Sequence, residues 1–332
     1  MKVIIPLAGF GTRLRPHTYT KPKPLINVAG KAVLGHILDK FAGLDVEEFI
    51  IVHGHLGEQI QHYLATQYPQ YRARFVEQKE LIGQADAILR CRPFVDGPVL
   101  IVFVDTLFEA DLSGLAREKA DAVIYVKEVQ DPRRFGVAVV GAEGWITRFV
   151  EKPESMDNRL AVIGMYYLKD SDALMCACQE LMERDIQTKG EYFLADAFNL
   201  MVEQGQKFRT ETVEVWEDCG KPETVLHTNR YLLEHGGAQE IATENSVLVP
   251  PVYIGKTAVI KDSVVGPYVS VAEGAAIVRS ILRDCIINEN AHIEDANLSQ
   301  SLIGKDAHVR GYAQKLNVGD SSQVELASHE DD

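Results

Sequence analysis

The chain has 332 residues, 46% of them hydrophobic and 25% charged, enough for a buried α/β core and, by length, for two domains. No stretch is apolar over the roughly 18 residues a transmembrane helix needs, and a net charge of −14 argues against nucleic-acid or anionic-membrane partners, which call for broad positive surface. Cys91, Cys176, Cys178, Cys219 and Cys285 are scattered without C-x-x-C or zinc spacing, which fits a reducing, cytoplasmic setting without disulfides.

Lys2–Leu7 is an apolar run rich in β-branched residues. It reads as a buried first strand rather than a signal peptide, because polar, glycine-rich sequence follows at once. From Met1 to Leu38 there is no Asp or Glu, yet Lys2, Arg13, Arg15, Lys21, Lys23 and Lys31 are present. An acidic protein whose first segment is purely basic suits a small polyanion there; a chance cluster on a solvated face is the plain alternative. A helical pattern starts near Lys31, with Val33, Leu34, Ile37, Leu38 and Phe41 on one face. Strand and helix then alternate: strand Phe49–His53, helix Leu56–Thr66, strand Arg74–Glu77, helix Gly83–Cys91, strand Pro98–Val104. That alternation predicts a Rossmann-like, mostly parallel sheet covered on both faces.

From Ala122 to Leu168 the pattern changes to several strands separated by turns, followed by helices near Ser171–Arg184 and Tyr192–Gln204. A strand near Arg209–Val215 and a helix near Pro222–Glu234 complete a first domain over 1–237, closed by the helix stop His235-Gly236-Gly237. Beyond it, aliphatic residues recur at a spacing of six: Ile254 and Ile260; Val265, Val271 and Ile277; Ile287 and Ile293; Ile303 and Val309. Such a period cannot hold one face of a helix, but it suits a β-helix of short flat sides over 245–326, with the register slipping between blocks. The tail Ala327–Asp332 is polar and acidic, the composition of a disordered end.

Chemistry concentrates in Leu7-Ala8-Gly9-Phe10-Gly11-Thr12-Arg13-Leu14-Arg15-Pro16, continuing to Lys21-Pro22-Lys23-Pro24-Leu25. The segment follows the carboxyl end of the first strand, where open α/β sheets bind ligands. Its glycines let backbone N–H groups approach phosphate, its cations neutralise charge, and its prolines stiffen the arm that carries Lys23. The Walker pattern is absent, and the dinucleotide fingerprint would need a glycine at Leu14. A glycine turn of purely structural purpose is the other reading.

The run G-x-G-T-R-L-x-P-x-T…K-P-K-P-L resembles the signature of the sugar-1-phosphate nucleotidylyltransferases, also called nucleoside diphosphate-sugar pyrophosphorylases. The likeness extends over nearly the whole chain, since many members carry a carboxyl-terminal left-handed β-helix of hexapeptide repeats. It implies that Leu7, Ala8, Gly9, Gly11 and Thr12 bind the nucleotide, and that Arg13 and Lys23 stabilise the transferring and leaving phosphates. Val76-Glu77-Gln78 and Leu81-Ile82-Gly83-Gln84-Ala85-Asp86-Ala87 are similar to the base-binding segment, with Gln78 and backbone near Gly83 on the base. The amide of Gln78 offers one donor and one acceptor, which suits the edge of thymine or uracil.

Asp105 follows an apolar run, and Asp218 lies in Trp216-Glu217-Asp218-Cys219-Gly220, similar to a W-x-D-x-G motif. The resemblance implies that the two carboxylates hold one Mg²⁺. Read alone, an aspartate at a strand end is also a common cap or loop residue. Residue 104 is Val where many members have Gly. Glu151-Lys152-Pro153 matches an E-K-P sugar site, and the segments around Gly136, Gly164 and Glu191 match further sugar-binding motifs; as a plain alternative, Glu191 caps its helix.

The implied reaction joins a nucleoside triphosphate to a sugar 1-phosphate and releases pyrophosphate, with dTTP or UTP and glucose 1-phosphate as the leading pair. Mannose-1-phosphate guanylyl transfer is the main competitor within the class. Two other classes are open: a non-catalytic assembly relative, against which Arg13, Lys23, Asp105 and Asp218 are all retained, and a bifunctional enzyme whose β-helix transfers acyl groups through His292 or His308. A homo-oligomer is expected, with the β-helix packing on the catalytic domain or joining copies.

Overall fold

A nine-stranded sheet carries the first half of the computed structural model, which describes residues 1–311 and 315–325; the acidic tail lies outside the described residues. Its strands are β1 (Lys2–Pro6), β2 (Glu48–His53), β3 (Ala73–Glu77), β4 (Val99–Val102), β5 (Ala122–Glu128), β6 (Gly136–Val140), β7 (Ile146–Glu151), β8 (Leu160–Leu168) and β9 (Phe208–Thr212). The order is β7-β6-β8-β4-β1-β2-β3, with β5 pairing β8 and β9 pairing β5. β1 runs parallel to β2 and β4, β2 to β3, and β5 to β9. Because β8 is antiparallel to β4, β5 and β6, and β7 to β6, every strand except β7 and β8 points one way. The sheet is therefore mostly parallel, as the alternation predicts.

The central strands are continuous aliphatic runs because both faces are covered. Val3, Ile4 and Ile5 of β1 and Leu100 and Ile101 of β4 are fully buried. The helix Ser171–Glu183 shows how a covering element is specified: the Asp170 carboxylate accepts the N–H groups of Asp172 and Ala173, and Leu174, Met175, Cys178 and Leu181 form the buried stripe.

Several boundaries differ from the sequence expectation, and three show a clear local reason. The strand expected over Pro98–Val104 ends at Val102, because Phe103 N–H bonds instead to the Gly164 carbonyl where β8 bulges. The chain then turns through Val104 and Asp105 into a short strand, Thr106–Glu109. The helix expected from Tyr192 starts at Leu194, since Tyr192 is hydrogen-bonded to Ile82 and Ala85. The strand expected over Arg209–Val215 divides into β9 and Val215–Asp218.

By sequence the texture changes at residue 237, whereas by contact the chain divides otherwise. Met1–Gly9 and Asp39–Trp216 form one compact unit, and Phe10–Leu38 groups with Glu217 onward in a second. In the second unit, Phe10–Leu38 holds three single 3-10 turns, Thr12–Leu14, His17–Tyr19 and Lys23–Leu25. A hairpin follows in which Asn27–Val28 pairs with Lys31–Ala32 through left-handed Ala29 and Gly30. That pairing delays the helix expected near Lys31 until Val33. The helix Pro222–Leu232 leads to the β-helix.

Parallel short strands stack in the β-helix, consistent with the left-handed form. One face comprises Val259–Lys261, Ala276–Val278, His292–Glu294, His308–Arg310 and Gln323–Glu325 in register. The first residues lie at 259, 276, 292, 308 and 323, so successive coils take 17, 16, 16 and 15 residues. Three six-residue sides would need about 18. The hexad therefore holds within a coil and slips between coils. Inside, Ile254, Val271, Ile287 and Ile303 form one in-register ladder, fully buried.

Corners are turned by stacked left-handed residues, among them Asn245, Asp262, Arg279 and Asp295, and Asn and Asp pay the least for that conformation. Ser263 and Ser280 tie coils together. Each hydroxyl donates to a carbonyl two residues back and accepts an N–H from the next coil, Ser263 from Ser280 at 3.0 Å and Ser280 from Ala296 at 3.1 Å. Ser280→Ala would leave the Ala296 N–H buried without its acceptor, so a loss of about 1–3 kcal/mol is expected in chemical denaturation. A midpoint equal to wild type would show that the ladder contributes nothing.

Candidate active site

The basic arm is shaped by close approaches. Gly11 has φ +61, and a Cβ there would lie 2.9 Å from Lys23 Cβ and 3.1 Å from Thr18 Cγ2. No other residue fits without moving the Lys23 stem. Thr18 Oγ1 donates to the Gly11 carbonyl at 2.9 Å, closing the loop on itself. Pro22 and Pro24 bracket Lys23 in its single turn.

Within the same unit the arm is fastened to the β-helix. His17 Nε2 donates to Asn317 Oδ1 at 2.5 Å, and Thr20 Oγ1 donates to Asp320. Lys21 Nζ lies 3.1 Å from Glu289 Oε2, while Asn27 Nδ2 donates to Glu289 Oε1 at 2.8 Å. Burial would push Glu289 up, but the Lys21 charge, with hydrogen bonds from Lys21 and Asn27, outweighs it and holds the carboxyl below its ordinary value. Burial pushes His17 below the ordinary histidine value, against the hydrogen bond to Asn317. Fully buried Asn229 accepts from Ala29 N–H and Ser270 Oγ and donates to the Tyr268 carbonyl. Gly30 lies so close to the Tyr253 ring that a Cβ would fall 2.0 Å from it.

Arg13 and Asp218 meet at Gly220. A Cβ on that glycine would lie 2.8 Å from Asp218 Oδ1 and 3.6 Å from Arg13 Nη2. Asp218 Oδ1 accepts the Gly220 N–H at 2.7 Å, and Thr228 Oγ1 donates to the Asp218 carbonyl. The carboxylate is thus oriented by Gly220, and the backbone that carries it by Thr228.

In the sheet unit, Leu7 N–H bonds to the Val52 carbonyl at 2.6 Å, and a Cβ on Gly54 would lie 2.7 Å from the Ala8 carbonyl oxygen. That close approach holds the end of β1 before exposed Gly9. Gln78, at the end of β3, donates from Nε2 to the Gly83 carbonyl at 3.0 Å and to Asp86 Oδ2 at 2.9 Å. Gly83 (φ +142) presses on Tyr192, where a Cβ would meet the carbonyl oxygen at 2.4 Å. Backbone bonds from Tyr192 N–H to the Ile82 carbonyl and from Ala85 N–H to the Tyr192 carbonyl seal this approach. The segment holding Gln78 and Gly83 is thereby joined to the one holding Glu191.

Asp105 is half-buried in the turn after β4. Thr106 Oγ1 donates to the Ile163 carbonyl at 3.2 Å, beside the β8 bulge at Gly164 (φ +83), so Asp105 and Gly164 share one strand end. Glu151 ends β7 with Oε1 3.6 Å from Lys152 Nζ, and its Oε2 would be 2.9 Å from a Cβ on Gly136. Burial raises Glu151 above the usual carboxylate range; the charge and hydrogen bond of Lys152 and the charge of Lys189 oppose this, while Asp196 adds to it. Lys152 takes a left-handed backbone (φ 49), with its N–H on the Phe135 carbonyl.

The expected residues therefore gather in groups. Gly11 lies with Lys23, Arg13 with Asp218, Gln78 with Gly83, Gly136 with Glu151 and Lys152, and Asp105 with Gly164. Thr12 opens the 3-10 turn that carries Arg13. Asp105 belongs to the first unit and Asp218 to the second. Gly54, Asn229 and Glu289 escaped the sequence reading, and Asp86 was quoted in the segment after Gln78 without a role of its own. His292 and His308 are register partners on one β-helix face, their rings 5.7 Å apart.

A glycine-rich, cationic arm follows the first strand of a mostly parallel sheet in the chain, and β7 ends in a paired carboxylate and lysine. The chain belongs to the nucleotidyl transferase family, whose pattern matches residues 2–235. Among curated relatives, the bifunctional protein GlmU of Methanocaldococcus jannaschii is 34% identical over 235 residues, covering 70% of this chain and 55% of its own length. This chain thus spans about half of that relative. The UTP–glucose-1-phosphate uridylyltransferase AglF of Haloferax volcanii is 31% identical, covering 67% of this chain and 93% of its own. A glucose-1-phosphate thymidylyltransferase of Streptomyces griseus is 26% identical across 99% of this chain and 100% of its own, so the likeness runs through the β-helix.

Docking of the arm should depend on pH. His17 titrates lower when docked than when free, so the docked state has its full stability above the ordinary histidine value of about 6.5 and loses it as pH falls below. Glu289 stays ionised in that window. Hydrogen exchange over residues 10–28 should therefore quicken on acidification through this range, and in Glu289→Ala should already be quick above it. Equal protection at both pH values and in the variant would refute the anchoring.

Proposed function

We propose that this chain transfers a nucleotidyl group from a nucleoside triphosphate to a sugar 1-phosphate, giving a nucleoside diphosphate-sugar and pyrophosphate. Our leading pair is glucose 1-phosphate with dTTP or UTP, in keeping with the names of AglF and the Streptomyces griseus relative. The observation that carries the reading is the Gly83–Tyr192 junction, which joins the segment matching a base site to the segment matching a sugar site. An enzyme that links a nucleotide to a sugar needs both held against one wall.

In this reading Gln78 and Gly83 receive the base, and Leu7, Ala8, Gly9, Gly11 and Thr12 the nucleotide phosphates. Glu151 accepts hydrogen bonds from sugar hydroxyls, Lys152 pairs with the sugar phosphate, and Gly136, Gly164 and Glu191 line the sugar. A sugar-phosphate oxygen attacks the α-phosphorus in line; the new P–O bond forms as the bond to the β-phosphate oxygen breaks. No protein nucleophile is needed, and Arg13 and Lys23 offset charge on the transferring and leaving groups. Members of this family generally use a divalent metal ion. Asp105 and Asp218 are hard oxygen donors, the latter oriented by Gly220 N–H, and they fit Mg²⁺. Bound there, the ion would supply charge neutralisation on the phosphates.

No helix among the described residues is long and apolar enough to cross a membrane. All five cysteines are free thiols, which supports a cytoplasmic setting.

Pyrophosphate release with a panel of triphosphates and sugar 1-phosphates tests the reaction. Asp105→Asn and Asp218→Asn should each lower metal-dependent turnover by at least about 100-fold while leaving the melting profile intact; undiminished turnover in both would defeat the metal assignment. A pH series gives a second check. Glu151 accepts from hydroxyls more strongly as a carboxylate than as the neutral acid, and its value is raised, so KM for the sugar phosphate should climb as pH falls through that value. Lys189→Gln removes one opposing charge and should move the climb to higher pH. A KM independent of pH across the acid range would remove Glu151 from the sugar site.

A further inference from the structure

We propose that Asp86 is a positioning residue that sets which nucleobases this chain accepts, by locking the Gln78 amide so that it presents only an acceptor. The proposal rests on the reading of Gln78 as a base contact and names the class of base that the contact admits.

Gln78 is 4% exposed and Asp86 5%. Both partners of Gln78 Nε2 are groups that only accept: the Gly83 carbonyl and the Asp86 carboxylate, whose Oδ2 also takes the Arg90 Nε–H at 2.8 Å. With Arg90 bound to it, Asp86 serves as an anion, so it offers Gln78 no proton. Turning the amide over would set Oε1 against two acceptors in a buried site, which leaves one orientation. Gly83 cannot retreat either, because its backbone is pinned on Tyr192. Both amide protons are thus spent within the protein. Oε1 has no hydrogen-bond partner among the described residues, and it is not among the side-chain atoms sealed from solvent without one. What Gln78 offers a ligand is therefore a fixed acceptor, and the donor foreseen from the sequence is already used.

A fixed acceptor pairs with a base that carries a ring N–H at the middle of its Watson–Crick edge. Uracil and thymine have N3–H, and guanine has N1–H. Cytosine N3 and adenine N1 carry lone pairs there, so their triphosphates would set two acceptors face to face in a desolvated site. Sites built to bond a particular group reject analogues lacking it far more strongly than shape alone allows.

Calorimetric binding of UTP, dTTP, GTP, CTP and ATP to the intact chain, without sugar phosphate, reads the lock directly. UTP should bind at least about 100-fold more tightly than CTP, and 3-methyl-UTP, which lacks the N3–H, should fall to the level of CTP. Asp86→Ala removes the carboxylate and with it one of the two acceptors that hold Nε2, so the amide is no longer locked. The UTP-to-CTP preference should then shrink by at least about tenfold, with KM for UTP raised and kcat changed by less than about threefold, as expected of a residue remote from the reacting atoms. Equal binding of UTP and CTP by the wild type, or an unaltered preference in a folded Asp86→Ala, would overturn the proposal. If that variant does not fold, the 3-methyl-UTP comparison still decides whether Gln78 acts as an acceptor. Base preference without pyrophosphate release from any sugar 1-phosphate would refute the proposed reaction and leave the lock standing; release with UTP and CTP used alike would do the reverse.

Discussion

A half-buried carboxylate on a β-helix is stabilised by a cation and a donor, and Glu289 finds both in Lys21 and Asn27. Its partners stand 268 and 262 residues earlier in the chain. The basic arm, stiffened locally by its prolines and by Thr18 on Gly11, is further held by contacts made long after it in sequence. His17 with Asn317 and Thr20 with Asp320 extend the seam to the last described coil. The β-helix thereby holds the segment that carries Arg13 and Lys23.

The sheet unit solves its positioning problem differently, by letting backbones touch. Gly54 admits Ala8, Gly83 admits Tyr192, and the bulge at Gly164 ends β4 just before Asp105. In each case a missing Cβ replaces a side-chain contact with a main-chain one, which is stiffer because it has no rotamers to lose. Polar side chains then finish the job locally, as Asp86 does for Gln78 and Lys152 for Glu151.

Much of this was legible. The alternation of Val/Ile runs with amphipathic stretches gave the parallel sheet, because strands buried on both faces leave an unbroken aliphatic signature. The spacing of six from Ile254 onward gave the β-helix, and G-x-G-T-R with K-P-K-P marked the arm. Long-range pairing was not legible. Nothing around Lys21 announces Glu289, nor does anything near Ala29 announce Asn229, since such contacts are set by tertiary packing and leave no period in the sequence. Strand ends were also misjudged where pairing was captured elsewhere, as when the Phe103 N–H is taken by Gly164. The direction of the Gln78 amide depended on a neighbour whose role only geometry reveals.

The changing coil length bears on assembly. A parallel β-helix of uniform coils ends in open edges that match one another, an invitation for copies to stack into fibres. Here a first coil of 17 residues faces a last one of 15, so one copy placed atop another would meet a rim of the wrong perimeter. Unequal rims of this kind disfavour open-ended stacking of copies.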